Sequence, residues 1–299
     1  MQNGEIYEQV TAKIVSLLEQ GTIPWRRPWT SIGSTTPQNA LTRRQYKGIN
    51  KLLLWMECDE RGYCSGLWAT YRQWQILGHQ VRRGEHATKV LFWKSWHEVV
   101  IDETTGKRQT KRHQLVREHS LFALEQCVSE SINIPPLRQQ TEQAFVDLRP
   151  AEDAIAATGL TIVNGGDQAS YSPDFDVITI PHRQNFESEA AYLNTVFHEM
   201  IHASGHKHRL NRVDHWPPYA SADYAMEELV AELGAAFLCS ALGVPHTTDH
   251  EQSAAYIATW LPVLKSDSRA IVTASEAAAK AADYILQFGR TKGKGAAVS

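Results

Sequence analysis

The sequence has 299 residues, which is long enough for two domains that each bury a core. Its 42% hydrophobic and 21% charged residues are typical of a globular protein, and no segment approaches the roughly eighteen apolar residues that cross a membrane. The four cysteines have neither CxxC spacing nor the density of a disulfide scaffold, so they predict reduced thiols in a cytoplasmic protein.

The net charge of −3 conceals a difference between the two halves. Residues 1–150 carry 20 lysines and arginines against 15 acidic residues, or +5, whereas residues 151–299 carry 10 against 18, or −8. Seven of the nine tryptophans also lie in the first half. This division predicts two parts with different partners.

The first part of the chain mixes helical and strand patterns. Apolar residues at helical spacing over 4–20 predict an amphipathic helix, and the acidic residues among them exclude a signal peptide. Two further helices are predicted at 49–57 and 68–77. Three strands are predicted at 89–96, 98–101 and 115–124, with a polar hairpin loop over 102–112. We take residues 1–130 as one domain and the proline-containing residues 131–147 as a linker.

Residues 148–290 are predicted to form a second domain, so that the protein is α+β with two domains. Helices are predicted at 150–158, 187–204, 223–242, 249–264 and 268–288, and strands at 160–163 and 177–180. The strand Asp176–Ile180 could lie along a cleft edge and pair with an extended peptide, or it could simply be part of a sheet. The Gly, Lys and Ala residues of 291–299 predict a disordered tail.

The segment from His198 to His202 is an HExxH motif. Residues i and i+4 share a helix face, so both imidazoles can bind one metal ion, and Glu199 can hold the water that the ion activates. The alternative is a chance match on a core helix, but the motif falls within a well-patterned helix that follows a strand. Candidate donors to a developing oxyanion are Tyr219, Tyr224 and His206.

Two arrangements can supply a third metal ligand. His208 completes the HExxHxxGxxH spacing of metzincins, for which Met226 could form the Met-turn. Alternatively, Glu228 and Glu232 lie four residues apart on the next predicted helix, so that one can bind zinc while the other accepts a hydrogen bond from a ligand histidine. The pattern alone leaves both arrangements open, beside a purely solvated acidic face.

Two basic segments of the first half combine cations with rings, as a non-specific binder of single-stranded DNA requires. The candidate DNA-binding residues are Trp25, Arg26, Arg27, Trp29, Arg43, Arg44, Tyr46, Lys47, Asn50 and Lys51. Because tryptophans usually pack in cores and charged runs usually face solvent, a structural role is the alternative. No recognition-helix or zinc-finger pattern is present, which predicts little sequence specificity.

These motifs resemble those of a known family. The runs FHEMIHASGHKHRLNR (197–212) and YAMEELVAELGAAFL (224–238) are similar to the C-terminal metallopeptidase domain of ArdC-type antirestriction proteins. QGTIPWRRPW (20–29) and the stretch YKGIN (46–50) resemble the DNA-binding domain that precedes it. The resemblance implies a gluzincin-like site with Glu228 as the third ligand and Zn²⁺, or another divalent ion such as Mn²⁺, as the cofactor. His208 departs from the family's usual small polar residue.

The same resemblance implies a function on conjugative plasmids. The protein would bind single-stranded and also double-stranded DNA, and would protect incoming plasmid DNA from the host's restriction enzymes, without a membrane partner. It could act as a zinc metallopeptidase on a host protein, or coat DNA with a structural metal site. An intracellular regulatory zinc metallopeptidase without a DNA role is the third possibility.

Overall fold

The computed structural model describes residues 3–26, 36–101, 108–128, 147–213, 216–219, 221–245 and 250–295. Its helices and two separate sheets confirm the predicted α+β class. Apart from Asp147, the predicted linker lies outside these residues. None of the helices within them is long and apolar enough to cross a membrane.

The first half contains a four-stranded sheet flanked by helices. Its elements are α1 (Asn3–Glu19), β1 (Gln38–Asn39), α2 (Ile49–Arg61), β2 (Leu67–Ala69), α3 (Tyr71–Ile76), β3 (Thr88–Ile101), β4 (Arg108–Ala123) and a 3₁₀ turn (Leu124–Gln126). The strand order is β1-β2-β4-β3, and only β1 and β2 run parallel. The strands predicted at 89–96 and 98–101 are one continuous strand. The predicted helix at 68–77 begins later, because Trp68 lies in β2 and Thr70 forms a capping box with Gln73.

The second half contains a small sheet and a group of long helices. Its elements are α4 (Arg149–Thr158), β5 (Thr161–Asn164), β6 (Ser170–Ser172), β7 (Val177–Ile180), a 3₁₀ turn (Arg183–Asn185), α5 (Glu189–Ser204), α6 (Ala222–Leu242), α7 (His250–Ser266) and α8 (Ala270–Gly295). The strand order is β5-β7-β6. The prediction that β7 pairs with a peptide at a cleft edge is therefore wrong, because both of its sides are already hydrogen-bonded to neighbouring strands.

The last helix is longer than its sequence indicated. It continues to Gly295 and so includes the first five residues of the predicted disordered tail, while 296–299 lie outside the described residues. Extending an existing helix requires no new nucleation, and a glycine within it costs only about 1 kcal/mol. A tail composition that would not start a helix can therefore still continue one.

Helix α6 lies at the centre of the second half, in contact with α5, α7 and α8. Nearly every side chain between Ala225 and Cys239 is buried. This helix is therefore surrounded by other elements, unlike an amphipathic helix that buries only one face. Carboxylates on such a helix must be paired with cations or hydrogen-bond donors, since an isolated buried charge is very costly. The three buried glutamates of α6, which are Glu227, Glu228 and Glu232, must therefore each have such a partner.

One apolar core runs through both halves. The indole rings of Trp25 and Trp260 lie 5.5 Å apart, and the rings of Trp55 and Phe237 lie 5.7 Å apart, all four side chains being buried. Gly48 has a positive φ of 54°, and a Cβ atom there would lie 3.4 Å from the carbonyl oxygen of Ser275 on α8. The first half thus packs closely enough on the second for its side chains to reach α6, which lies against the HExxH helix α5.

Candidate metal centre

Helices α5 and α6 bring three potential ligands together. The ligand atoms of His198, His202 and Glu228 all lie within 4.8 Å of one another. The Nε2 atoms of the two histidines are 3.1 Å apart, and each lies 3.4 Å from a carboxylate oxygen of Glu228. Two imidazole nitrogens and one carboxylate oxygen facing a common point form the ligand set of a divalent metal site with room for a water molecule.

Local sequence signals position the two helices. Ser188 caps α5 by accepting a hydrogen bond from the Ala191 amide, and Ser221 caps α6 in the same way from Tyr224. The helices approach closely at Gly234, where a Cβ atom would lie 2.6 Å from Cδ1 of Ile201. A glycine at this point lets the helix with the histidines lie directly against the helix with the glutamates.

A buried carboxylate and arginine orient His198. Its Nδ1 lies 3.5 Å from Oε1 of Glu232, and Arg26 donates two hydrogen bonds to that carboxylate, from Nε at 2.8 Å and from an Nη atom at 2.5 Å. Both partners are buried. A proton held on Nδ1 by the carboxylate leaves Nε2 free to bind a metal ion. Arg26 comes from the first half of the chain, so both halves contribute to this site.

The same arrangement is repeated at His202. Its Nδ1 lies 3.1 Å from Oε1 of Glu227, and Arg212 donates to both carboxylate oxygens of Glu227. Arg212 also donates to the carbonyl oxygen of Ile201 at 3.0 Å, which ties the loop after α5 to the helix. Each histidine therefore has its own carboxylate and its own arginine.

The charges of the site fit a divalent cation. Arg26 and Arg212 balance Glu232 and Glu227. Among the residues that the structure describes, no lysine or arginine pairs with Glu199 or Glu228, and the two charges of a divalent ion match these two carboxylates. Burial opposes charge on Glu228, yet His198 and His202 outweigh it and hold the pKa of that carboxyl below its ordinary value. Burial likewise opposes protonation of His202, but Glu227 and Glu228 raise its pKa to about 9. This negative cluster attracts positive charge even without a metal ion.

The remaining candidate ligands lie elsewhere. His208 is exposed, and its backbone amide bonds to the ring of His206, so the structure does not bring it into the cluster. Met226 lies within α6 and cannot form a Met-turn. Glu232 supports His198 from the Nδ1 side and does not share the ligand position with Glu228. The geometry therefore favours the gluzincin arrangement over the metzincin one.

Glu199, Trp216 and Tyr224 complete the surroundings of the cluster. Within the part of the chain that the structure describes, no hydrogen bond or ion pair engages the buried Glu199 carboxylate. The Trp216 ring makes an edge-on contact with the His202 ring, with ring centres 5.3 Å apart. Burial and the neighbouring Glu228 raise the pKa of Tyr224, so its hydroxyl stays protonated and can donate a hydrogen bond.

Four of these features were absent from the sequence prediction: Glu227, Arg212, Trp216 and the role of Arg26. Glu227 carried a usable signal, since three glutamates on an apolar helix need three partners. Arg212 and Trp216 lie in or beyond an irregular loop and have no periodic pattern. Arg26 could not be assigned, because its partner is 206 residues away in sequence.

Comparison with known proteins supports this assignment. Residues 4–122 match the family described as the N-terminal domain of anti-restriction factor ArdC, and residues 149–277 match the zincin-like metallopeptidases. The metal-free crystal structure of the antirestriction protein ArdC from plasmid R388 resembles the fold with a TM-score of 0.77 at 35% identity, over 95% of this chain and 98% of that one. The chain belongs to the ArdC antirestriction family.

Other relatives extend the comparison. The Mn(II)-bound structure of R388 ArdC gives a TM-score of 0.73 at 33% identity and covers 95% of this chain and 97% of that one. The uncharacterized protein y4eC of Sinorhizobium fredii (strain NBRC 101917 / NGR234) is 38% identical over 94% of this chain and 91% of its own length. The DNA primase TraC of Escherichia coli is 37% identical, but this chain spans only 27% of it. The zincin-like match, the Mn(II)-bound relative and the ligand cluster together support divalent metal binding by this ArdC-family protein.

The structure corrects five of the predicted DNA contacts, because their side chains are buried. Trp25 packs on Trp260 and Arg26 binds Glu232, as described above. Asn50 exchanges two hydrogen bonds with the backbone of Leu91, at 2.6 and 2.7 Å. Buried side chains cannot stack on bases or contact phosphates in this conformation. The other two are Tyr46 and Lys51.

Of the other candidates, Arg43, Arg44 and Lys47 are exposed, and Lys47 forms an ion pair with Asp283 at 2.5 Å. Arg27 and Trp29 lie outside the described residues. The patterns in these segments were thus informative about the family, while Trp25, Arg26 and Lys47 contact residues of the second half.

The buried Lys51 makes a testable contribution to stability. Its Nζ lies 4.6 Å from the ring centre of Trp55, and burial lowers its pKa from 10.5 to about 7, although Asp283 opposes the shift. Between pH 7 and 10.5 the unfolded chain binds this proton and the folded chain does not, so the contribution of Lys51 to stability rises with pH.

We expect Lys51→Met to be more stable than wild type at pH 7, and expect this advantage to shrink by about 2–4 kcal/mol at pH 9.5. Urea unfolding of both proteins at the two pH values measures the difference, and the titration of other groups cancels between them. A pH-independent difference would mean that Lys51 stays charged in the folded protein.

Proposed function

We propose that this protein binds DNA, preferably single-stranded and with little sequence specificity, and protects incoming conjugative plasmid DNA from restriction in the recipient's cytoplasm. We further propose that its metal centre is a zinc metallopeptidase-type site acting on a host protein. The observation that carries the metallopeptidase part of the proposal is the cluster of His198, His202 and Glu228. Glu199 lies beside it, and no described residue forms a hydrogen bond or ion pair with its carboxylate. The likeness to R388 ArdC and to a segment of the DNA primase TraC supports the link to DNA.

The residues have distinct chemical roles in this proposal. A bound divalent ion would supply Lewis-acid activation of water or of a peptide carbonyl. Glu199 accepts the proton of the attacking water and returns it to the leaving amine, and Tyr224 donates to the carbonyl oxygen as it gains charge. Glu227 and Glu232 keep His202 and His198 in the tautomer that exposes Nε2.

Zinc is the ion that we propose for this site, since two imidazoles and one carboxylate form a common zinc ligand set. Mn²⁺ is the competing candidate, because R388 ArdC has a Mn(II)-bound structure and carboxylate and imidazole ligands bind several first-row metals. Elemental analysis of protein purified from cells, followed by competition between Zn²⁺ and Mn²⁺, decides between them.

Replacing Glu199 by glutamine tests the enzymatic part. We expect the variant to bind Zn²⁺ as wild type does but to hydrolyse fluorescently labelled casein at least about 100-fold more slowly, because it can no longer take up the proton. The exposed Glu187, changed to glutamine, is the matched control and should have no effect. If plasmid protection in recipient cells survives Glu199→Gln unchanged, the protein protects DNA by coating it.

Fluorescence anisotropy with a labelled 20-nucleotide oligothymidylate and a duplex of equal length tests the DNA-binding part. We expect tighter binding of the single strand and a steep loss of affinity with salt, because bound cations release counterions. No binding at low salt would leave an intracellular metallopeptidase without a DNA role.

A further inference from the structure

The outer part of the β3–β4 hairpin stands apart from the core. Near its base, Leu91 and Val116 pack against the first half's helices, and the Trp93 ring nitrogen donates to the Tyr7 hydroxyl at 3.2 Å. From Lys94 to Val99 every residue of β3 is exposed. A strand advances about 3.4 Å per residue, so this arm extends roughly 25 Å from Lys94 to Ile101.

One face of the β3–β4 hairpin alternates rings and cations. Residues opposite each other in an antiparallel pair share a face, and the register pairs Phe92 with Arg117 and Trp96 with His113. Phe92 and Trp96 are 42% and 44% exposed although both are large and apolar. Lys94 lies between them on the same face, since side chains alternate along a strand.

The rings on this face are held in place by histidines. The Trp96 ring stacks on His113 with centres 5.3 Å apart and planes 13° from parallel, and Phe92 contacts the His119 ring at 4.7 Å. His113 in turn bonds to Glu98 at 2.7 Å. Two large rings that are each in contact with a histidine and each more than two-fifths exposed can serve as platforms on which bases stack.

The charge of the two hairpin strands favours a polyanion as the partner. The two strands together carry six lysines and arginines against two glutamates, in a chain whose net charge is −3. Lys94 and Arg117 are exposed, and neither forms an ion pair with another residue that the structure describes. They are therefore free to bind phosphates on either side of a stacked base.

We propose that this face of the β3–β4 hairpin, with Phe92, Lys94, Trp96 and Arg117, is the surface that binds single-stranded DNA. The inference rests on the proposed DNA-binding function and replaces the buried residues that sequence patterns had suggested. Bases stack on Phe92 and Trp96, while Lys94 and Arg117 bind the intervening phosphates.

Anisotropy with the labelled oligothymidylate tests this surface. We expect Trp96→Ala and Phe92→Ala each to weaken binding by about 5- to 100-fold, and Trp96→Phe to retain most of the affinity because it keeps a ring. Lys94→Gln and Arg117→Gln should each lower the slope of log affinity against log salt by about 0.7. The controls are Phe175→Ala, an exposed ring between β6 and β7, and Arg72→Ala, an exposed cation on α3.

Three outcomes would overturn the inference, and they differ from failure of the proposed function. Unchanged DNA affinity in Trp96→Ala and Phe92→Ala would place the DNA elsewhere, provided that wild type binds. A change confined to self-association in sedimentation experiments would assign the face to a second copy of the chain. Equal losses in Trp96→Phe and Trp96→Ala would indicate a structural role. Absence of binding by wild type would instead remove the DNA-binding proposal itself. Mn²⁺ affinity, unchanged in each variant, shows that the fold is intact.

Discussion

Replacing Glu228 by glutamine is expected to lower the affinity for Zn²⁺ or Mn²⁺ by roughly 100-fold or more. The carboxylate supplies one of three candidate ligand atoms and one of the two negative charges that no arginine among the described residues balances. Zinc sites with four ligands contribute on the order of 10–16 kcal/mol, or about 3 kcal/mol per ligand. Isothermal titration of metal-free protein with each ion measures the change.

The matched control for this variant is Asp223→Asn, an exposed acid on the same helix, which should leave the affinity unchanged. His208→Ala discriminates between the two ligand arrangements, and we expect no effect from it. If His208→Ala weakened metal binding as much as Glu228→Gln, the metzincin arrangement would form in the metal-bound protein and the site would have to rearrange.

Arg26→Ala is the second large effect that we expect, since it would weaken metal binding about 10- to 100-fold although Arg26 is not a ligand. Removing the guanidinium leaves the Glu232 carboxylate buried without its cation, so Glu232 no longer orients the His198 ring. Burial alone would raise the pKa of Glu232, and Arg26 and His198 now hold it below its ordinary value. The uncompensated charge should also cost about 3–5 kcal/mol of folding stability.

A double variant separates the two consequences. Arg26→Met combined with Glu232→Leu removes both charges, so we expect stability to recover to within about 1 kcal/mol of wild type while metal affinity stays low. Arg44→Ala, an exposed cation of the same half, is the control. Wild-type metal affinity in Arg26→Ala would show that His198 needs no support from the first half. Urea unfolding and metal titration of the four proteins give both quantities.

The interlocking of the two halves has a functional consequence. Arg26 reaches the metal centre from the half that matches the ArdC N-terminal domain, while Glu232 and His198 belong to the zincin-like half. A movement of the segment around Arg26 would therefore alter the orientation of His198 directly. The Arg26–Glu232–His198 contact is thus a direct physical link between the first half and the candidate metal site.

Local chemistry explains what the sequence predicted well. The HExxH spacing places two imidazoles on one face of any helix, whatever surrounds that helix. The Glu228–Glu232 spacing likewise predicted that both carboxylates can reach the histidines, and the structure brings Glu228 to Nε2 and Glu232 to Nδ1 of His198. These features need only a helix and its periodicity, so no information about distant parts of the chain was required.

The basic, tryptophan-rich segments show where such reasoning stops. Trp25 and Arg26 look like a ring and a cation for DNA, but whether they face solvent depends on α6 and α7, more than 200 residues later. Composition cannot distinguish a ring that stacks on a base from one that packs on another tryptophan. Conversely, Phe92 and Trp96 look like core residues of a strand until the hairpin is seen to stand clear of the body.

The sequence by itself determined the HExxH motif on its helix, with Glu199 between the two histidines, and the family to which the chain belongs. The tertiary structure alone showed that Arg26 supports the site and which aromatic rings remain accessible, and it brought to the histidines the Glu228 that the family resemblance had implied. The reason is that ligand spacing along one helix is a short-range property of the backbone. Burial and ion pairing are set by whichever distant element packs against a residue, and side-chain chemistry alone does not specify that element.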